Sequence, residues 1–279
     1  MAKTKSKGVV EEIFLNIPMW PFAVVTVSLP GVALFVCFVT AVIFQFDDVN
    51  ETMCNVKNFI PSISAVTGVT PQTYLWRTCI ALHSTPRFAV CLFTYNHYVS
   101  RAHSVHPQRL AKYMFLIKVN FWLNFVENSC LTLVAYITNR ENYPIHEKIF
   151  VVFMVTSLAY MLLNTILFNW SRAGSFSETD RVSYYWKKVM FASIATATAG
   201  LLASFILHRV YCVVGAFSVF SACEYVIAYT NMGYHFTAYL DFKDRSFLFG
   251  RLCPYPRNNN ESSSLAVTNN NVKLKNKAH

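Results

Sequence analysis

Residues 21–44 read PFAVVTVSLPGVALFVCFVTAVIF, a run without a single charged side chain. About 20 mostly apolar residues are needed to cross the hydrocarbon of a bilayer as a helix. A helix is the form expected, because an open strand would leave its backbone groups unpaired in lipid. Working outward along the chain, comparable stretches recur at about 74–100, 113–138, 149–170, 189–207 and 212–239. The short alternating segments of a membrane barrel are missing. The fold class expected is therefore all-α: a polytopic membrane helical bundle with six transmembrane helices. Composition agrees, with 54% hydrophobic residues, only 14% charged and 24 Phe in 279 residues, at a mean hydropathy of +0.34. That is too apolar for a soluble domain of this length.

Basic residues give the stack a direction. With both ends in the cytosol, the cytosolic segments hold 17 of the 24 Lys and Arg. The opposite loops hold four (Lys57, Arg140, Lys148, Arg209), and Arg77, Arg87 and Lys118 fall within spans. Positive-inside sorting predicts this bias. It divides the chain into a cytosolic segment 1–20, a membrane domain 21–240 with a lumenal loop 45–73, and a cytosolic tail 241–279, disordered from about Asn258. The net charge of +10 then reflects topology and anionic cytosolic lipid, with no nucleic-acid partner. The sequon Asn50-Glu51-Thr52 falls in the lumenal loop, where Asn50 is the expected glycosylation site. The sequons at Asn169 and Asn260 fall on the cytosolic side. No cleavable signal peptide is evident before the first span. The eight Cys show no metal spacing; most lie in spans as small apolar residues. Cys54 and Cys212 are the pair that an oxidising lumen could join.

The informative residues are those that hydrocarbon should exclude. At ~100° per residue, Asn120, Asn124, Glu127 and Asn128 share one face of the third span. Ser221, Glu224, Asn231 and His235 share a face of the sixth, and Arg77, His83, Ser84 and Arg87 share one of the second. Glu127, Glu224 and Arg87 lie near mid-depth, where an uncompensated charge costs at least ~2.5 kcal/mol. Pairing of Arg87 with Glu127 or Glu224 is expected, with Asn side chains satisfying what remains. Either these groups lock helices together, or they line a polar cavity that accepts a lipid headgroup or moves protons. Pro86 should kink or break the second helix and free a carbonyl near Leu82.

No His-x-x-x-x-Asp box, Gly-x-Ser-x-Gly elbow, His-Glu-x-x-His zinc motif or P-loop occurs. At Ala81-Leu82-His83-Ser84-Thr85-Pro86-Arg87-Phe88, preceded by Pro61-Ser62-Ile63-Ser64-Ala65, the chain resembles the post-GPI-attachment-to-proteins factor 2 family of the Frag/DRAM/Sfk group. Further matches are Tyr74-Leu75-Trp76-Arg77, Asn124-Phe125-Val126-Glu127-Asn128 and Ser175-Phe176-Ser177. The resemblance covers roughly 14–251. It implies GPI-anchor lipid remodelling in the Golgi membrane, with the endoplasmic reticulum as a second location. The step implied is reacylation of lyso-GPI with a saturated chain at sn-2 of the phosphatidylinositol. The partners implied are GPI-anchored proteins and the lyso-GPI lipid.

Arg77, His83, Ser84, Pro86, Arg87 and Glu127 carry over from the matching motifs. In a site entered from the lumenal leaflet, Arg77 is expected to meet the anionic phosphate. His83 is expected to act as catalytic base on the glycerol hydroxyl, with Glu127 orienting or charging it. Arg87 and Asn124 would stabilise the oxyanion, and Ser84 and Glu224 complete the substrate-binding set. No cofactor or metal is expected, and the acyl donor is acyl-CoA or a phospholipid. Two other classes compete: a non-catalytic lipid-binding chaperone or scaffold for the transferase, and a channel or transporter, which the missing repeat symmetry weakens.

Overall fold

The computed structural model describes residues 10–172 and 175–253. The tail beyond 253, with Asn260, and the lysines at positions 3, 5 and 7 lie outside the described residues. The fold is all-α, as expected from composition, apart from one small sheet. Six long helices carry it: α1 (Met19–Phe44), α4 (Gln72–Ser100), α5 (Pro107–Tyr136), α6 (Asn139–Ser171), α7 (Glu178–Tyr211) and α8 (Ala216–Phe236). Each packs on its neighbour in sequence, and α8 returns to α1, so the six close into a ring. Short antiparallel connections enforce this order from α4 to α8, and a longer one, 45–71, joins α1 to α4.

Among the described residues, α1, α6 and α7 are long and apolar enough to cross a membrane. The other three are those that carry Arg77, His83, Arg87, Glu127, Glu224 and the asparagines. Their polar groups lower the hydropathy of α4, α5 and α8. The fold turns most of those groups inward.

Several helices outrun the apolar stretch that announces them. A capping box formed by Thr138 and Glu141 starts α6, and one formed by Ser177 and Asp180 starts α7. Each satisfies the first free N–H groups of its helix. Helix α4 runs unbroken through Pro86, so of the kink or break expected there the break does not occur. The neighbouring helix holds this stretch: Asn128 Nδ2 donates to the Ser84 carbonyl at 2.9 Å, and Thr132 Oγ1 donates to Ser84 Oγ at 2.9 Å. Helix α6 instead bends at Asn142, just before Pro144.

The connection 45–71 holds two short helices, α2 (Phe46–Asn50) and α3 (Ile63–Gly68). Helix α3 touches α1, α4, α6 and α8, plugging one end of the ring. Gly68 permits its close fit on α6: a Cβ there would stand 2.8 Å from Asn139 Oδ1. At the same end, Cys54 and Cys212 form a disulfide with Cα atoms 5.6 Å apart. At the other end, α9 (Ala238–Asp241) follows α8. A separate compact unit contains a two-stranded sheet of β1 (Val10–Pro18) and β2 (Ser246–Cys253). No strand is expected from the sequence at either place, since neither VEEIFLNIP nor SFLFGRLC alternates apolar and polar residues strictly.

Candidate functional site

The centre of the ring holds a charged cluster. Glu127 of α5 is fully buried, and Arg87 of α4 is 5% exposed. One carboxylate oxygen, Oε1, takes three partners. Asn231 Nδ2 of α8 donates to it at 2.7 Å, Arg87 Nη2 lies 3.3 Å away, and His235 Nε2 lies 3.0 Å away. Asn231 Nδ2 also donates to Ser157 Oγ of α6 at 2.8 Å. The imidazole of His235 stacks on Tyr160 with the rings 6° from parallel.

Hydrogen-bonding capacity is not fully used here. Glu127 Oε2, and Nε and Nη1 of Arg87, are buried without a hydrogen-bond partner among the described residues. His235 Nε2 stands 2.5 Å from Arg87 Nη2, which can only donate, and 3.0 Å from Glu127 Oε1, which can only accept. With a proton on Nε2 the ring bonds the carboxylate. With the proton on Nδ1 it accepts from the arginine. The cluster therefore has two hydrogen-bonding arrangements for one geometry.

The face predicted for α5 is buried throughout: Asn120, Asn124, Glu127 and Asn128 are all at most 4% exposed. Asn124 lines a small cavity of about 30 Å³ beside Arg87, His83 and His235. Of the two partners expected for Arg87, the fold selects Glu127. Glu224 lies seven residues before Asn231, about two helical turns nearer α3. It accepts the Ile63 N–H at 3.0 Å.

His83 is buried, but Glu127 does not orient it. Its Nδ1 sits 2.7 Å from the Thr26 carbonyl of α1. A carbonyl only accepts, so Nδ1 carries the proton and Nε2 is the basic nitrogen. The residue set against Glu127 is His235, from the polar face expected of the sixth span. Ser84 is buried and bonded to α5, as described above. Arg77, 24% exposed, sits at the α3 end. Its Nη2 donates to both oxygens of Glu141 at 2.8 and 2.7 Å and to the Tyr136 carbonyl at 2.6 Å. The guanidinium thus joins α4 to the α5–α6 corner.

A larger cavity of about 100 Å³ lies under α3, between α4, α6 and α8. Ile80, Leu131, Val134 and Phe150 make most of its wall apolar. Ser64, His83, His146 and Glu224 supply polar points. At the plugged end, Asn50 is a structural residue. It is buried, its Nδ2 donates to the Phe46 carbonyl at 3.0 Å, and its Oδ1 accepts from Asn58 Nδ2 at 3.0 Å. A glycan on Nδ2 would replace one of its two hydrogens and leave the other N–H to make the first of these bonds. Asn58 in turn accepts from Ser218 of α8. Among the described residues, no group of three His, Cys, Asp or Glu is placed to hold a metal ion.

Long apolar helices with their charges paired inside the ring define an α-helical integral membrane protein. Comparison narrows the class. Residues 18–245 match the Frag1/DRAM/Sfk1/Cwh43P N-terminal domain. The chain is 48% identical over 237 residues to a Drosophila melanogaster protein named post-GPI attachment to proteins factor 2-like, covering 85% of this chain and 72% of that one. It is 40% identical over 228 residues to the Xenopus tropicalis protein named acyltransferase PGAP2, covering 81% and 88%. A Caenorhabditis elegans post-GPI attachment to proteins factor 2 is 32% identical over 241 residues, covering 85% and 90%. No solved structure matches. The chain belongs to the post-GPI attachment to proteins factor 2 family, within the Frag1/DRAM/Sfk1 group.

Proposed function

We propose that this protein remodels the lipid of GPI anchors by transferring a saturated acyl chain to the sn-2 hydroxyl of lyso-GPI. The observation that carries the reading is the near full-length match to a relative named as an acyltransferase. The apolar cavity with polar points in its wall supports it, because an acyl ester needs both surroundings at once. All six long helices cross the membrane in this reading, with both termini cytosolic and α3 facing the lumen. The Cys54–Cys212 disulfide at the α3 end favours that orientation, since such bonds persist in oxidising compartments. The basic residues gather at the opposite end. The Golgi membrane, with the endoplasmic reticulum, is the location that follows from the pathway.

In this orientation the inositol phosphate stands near Arg77, whose guanidinium has donors beyond those given to Glu141. Two imidazoles, His83 and His146, border the cavity and offer a base for the attacking hydroxyl. Arg87, Glu127 and His235 sit deeper. Their unfilled hydrogen-bonding capacity suits a polar group brought in by the substrate.

Mass spectrometry of GPI-anchor lipids from cells lacking the protein tests the proposal. Loss of saturated sn-2 chains, or accumulation of lyso forms, is expected. An unchanged lipid profile would reject it. Purified protein in liposomes with lyso-GPI and a labelled acyl donor should yield labelled diacyl-GPI. Tight binding without turnover would point to a chaperone.

A further inference from the structure

Serine and threonine hydroxyls in these helices mostly turn back on their own backbone. Thr26, Thr67, Ser129, Thr165, Thr198 and Ser204 each donate to the carbonyl four residues earlier. That local bond is the ordinary use of a hydroxyl in a helix within lipid. Ser64 is the second residue of α3, so the carbonyl four residues earlier, that of Ile60, lies before the helix and the serine hydroxyl is turned to another partner. Its Oγ lies 2.8 Å from Nε2 of His146, which comes from α6, 82 positions away in sequence.

The tautomer of His146 follows from its other nitrogen. Nδ1 lies 2.7 Å from the Ile137 carbonyl. Because that oxygen only accepts, Nδ1 holds the ring proton and Nε2 presents a lone pair to the serine hydroxyl. A nucleophile, a base and an acceptor that orients the base stand in line, the arrangement that activates serine in acyl transfer. Here a backbone carbonyl takes the orienting place that a carboxylate often holds.

Both side chains open onto the apolar cavity under α3. Ser64 is half-buried, and His146 is 7% exposed. The cavity, at about 100 Å³, is several times the roughly 10–15 Å³ that one water requires. Helix packing alone gives no reason for an activated hydroxyl to face such a space. His83 also reaches this cavity, yet among the described residues no hydroxyl is hydrogen-bonded to its ring, whereas His146 has the Ser64 hydroxyl against Nε2.

We propose that Ser64 carries the acyl chain as an ester during transfer, with His146 as its base. The inference rests on the acyl-transfer reading above and names the residues that perform it. In the first half, Ser64 Oγ attacks the carbonyl of an acyl ester or thioester donor while its proton passes to His146 Nε2. The donor's C–O or C–S bond breaks, and the departing alcohol or thiol takes that proton. In the second half, the free hydroxyl of the lysolipid gives its proton to His146 as its oxygen attacks the serine ester. The bond from the carbonyl carbon to Oγ breaks, and Ser64 recovers the proton. Atoms and charge balance without an oxidant or a metal. Glu224 faces the same cavity and holds α3 through the Ile63 N–H, which makes it a positioning residue.

The test uses the full chain in nanodiscs, with stearoyl-labelled phosphatidylcholine in one arm and labelled stearoyl-CoA in the other. Without lysolipid, the wild-type chain should gain one acyl mass on the peptide containing Ser64 in at least one arm. Ser64→Ala should gain none. His146→Gln should lower transfer to lyso-GPI by ~10²–10⁴-fold, the usual worth of a general base. Ser64→Cys should form an adduct that neutral hydroxylamine releases, as expected of a thioester. Ser64→Ala with wild-type melting temperature and undiminished transfer would overturn the proposal while leaving the remodelling reading intact. Should Ser64→Ala melt early, the cysteine variant decides: a missing or hydroxylamine-resistant adduct overturns it. A wild-type chain that transfers nothing, in cells whose anchors are unchanged by its loss, would reject the remodelling reading itself.

Discussion

Two buried cations are treated in opposite ways by this fold. Lys187 of α7 is 1% exposed, and its ammonium group is fully served. Ser183 Oγ lies at 2.7 Å, Thr237 Oγ1 at 2.8 Å and Asp241 Oδ2 at 2.8 Å. Ser183 Oγ in turn donates to Asp241 Oδ1 at 2.6 Å. The Phe168 ring adds a face 4.6 Å from the ammonium. Arg87 is nearly as buried but engages through Nη2 alone, and its partner Glu127 leaves one oxygen unused. A buried polar atom without a partner costs ~1–3 kcal/mol. The Lys187 cluster uses every donor to fasten α7 to the α8–α9 corner. The Arg87 cluster retains donors and acceptors that no described residue fills. Burial of charge thus marks a lock in one place and a receptive site in another, and the count of unused atoms tells them apart.

The largest effect should come from breaking the lock. Lys187→Ala leaves Asp241 without its cation and should cost ~3–5 kcal/mol, read as a large fall in melting temperature in detergent. A loss below ~1 kcal/mol would mean that the cluster fastens nothing. Next comes the receptive site. Glu127→Gln removes the charge but keeps an acceptor for Asn231, so its stability cost should be smaller, on the order of 1–3 kcal/mol. The GPI-lipid profile of cells should nevertheless shift to lyso forms. The paired change Arg87→Met with Glu127→Leu removes both charges, and stability should return to within ~1 kcal/mol of wild type. Restored remodelling in that variant would erase the distinction drawn here. The smallest effect belongs to Arg77, whose bridge to Glu141 is half in solvent. Arg77→Ala should cost under ~1 kcal/mol of stability. A greater loss of lyso-GPI affinity would separate its two contacts.

Much of this was legible before any coordinates. The helical wheel turned Asn120, Asn124, Glu127 and Asn128 inward, because a polar face on an apolar helix has nowhere else to go. Cys54 and Cys212 were readable as partners because topology left few other cysteines near that face. Depth was less readable. Counting from residue 212 placed Glu224 at mid-membrane, but α8 begins at Ala216 and α3 reaches down to meet the carboxylate. Lys187 looked like one more basic loop residue beside Lys188. Its partners Thr237 and Asp241 arrive from 50 and 54 positions away, beyond any local pattern. The same distance hid the pairing of Ser64 with His146, although Ser64 stood in a motif already singled out. Pro86 was expected to kink or break α4; the helix does not break there, and side chains from α5 bond the turn before it.

The bond between Cys54 and Cys212 joins points 158 residues apart, so most of the polypeptide forms one covalent loop. A protease that nicks the backbone anywhere inside that loop cannot separate the two pieces. Such a molecule would migrate as a single band on electrophoresis until a thiol reagent let the fragments drift apart.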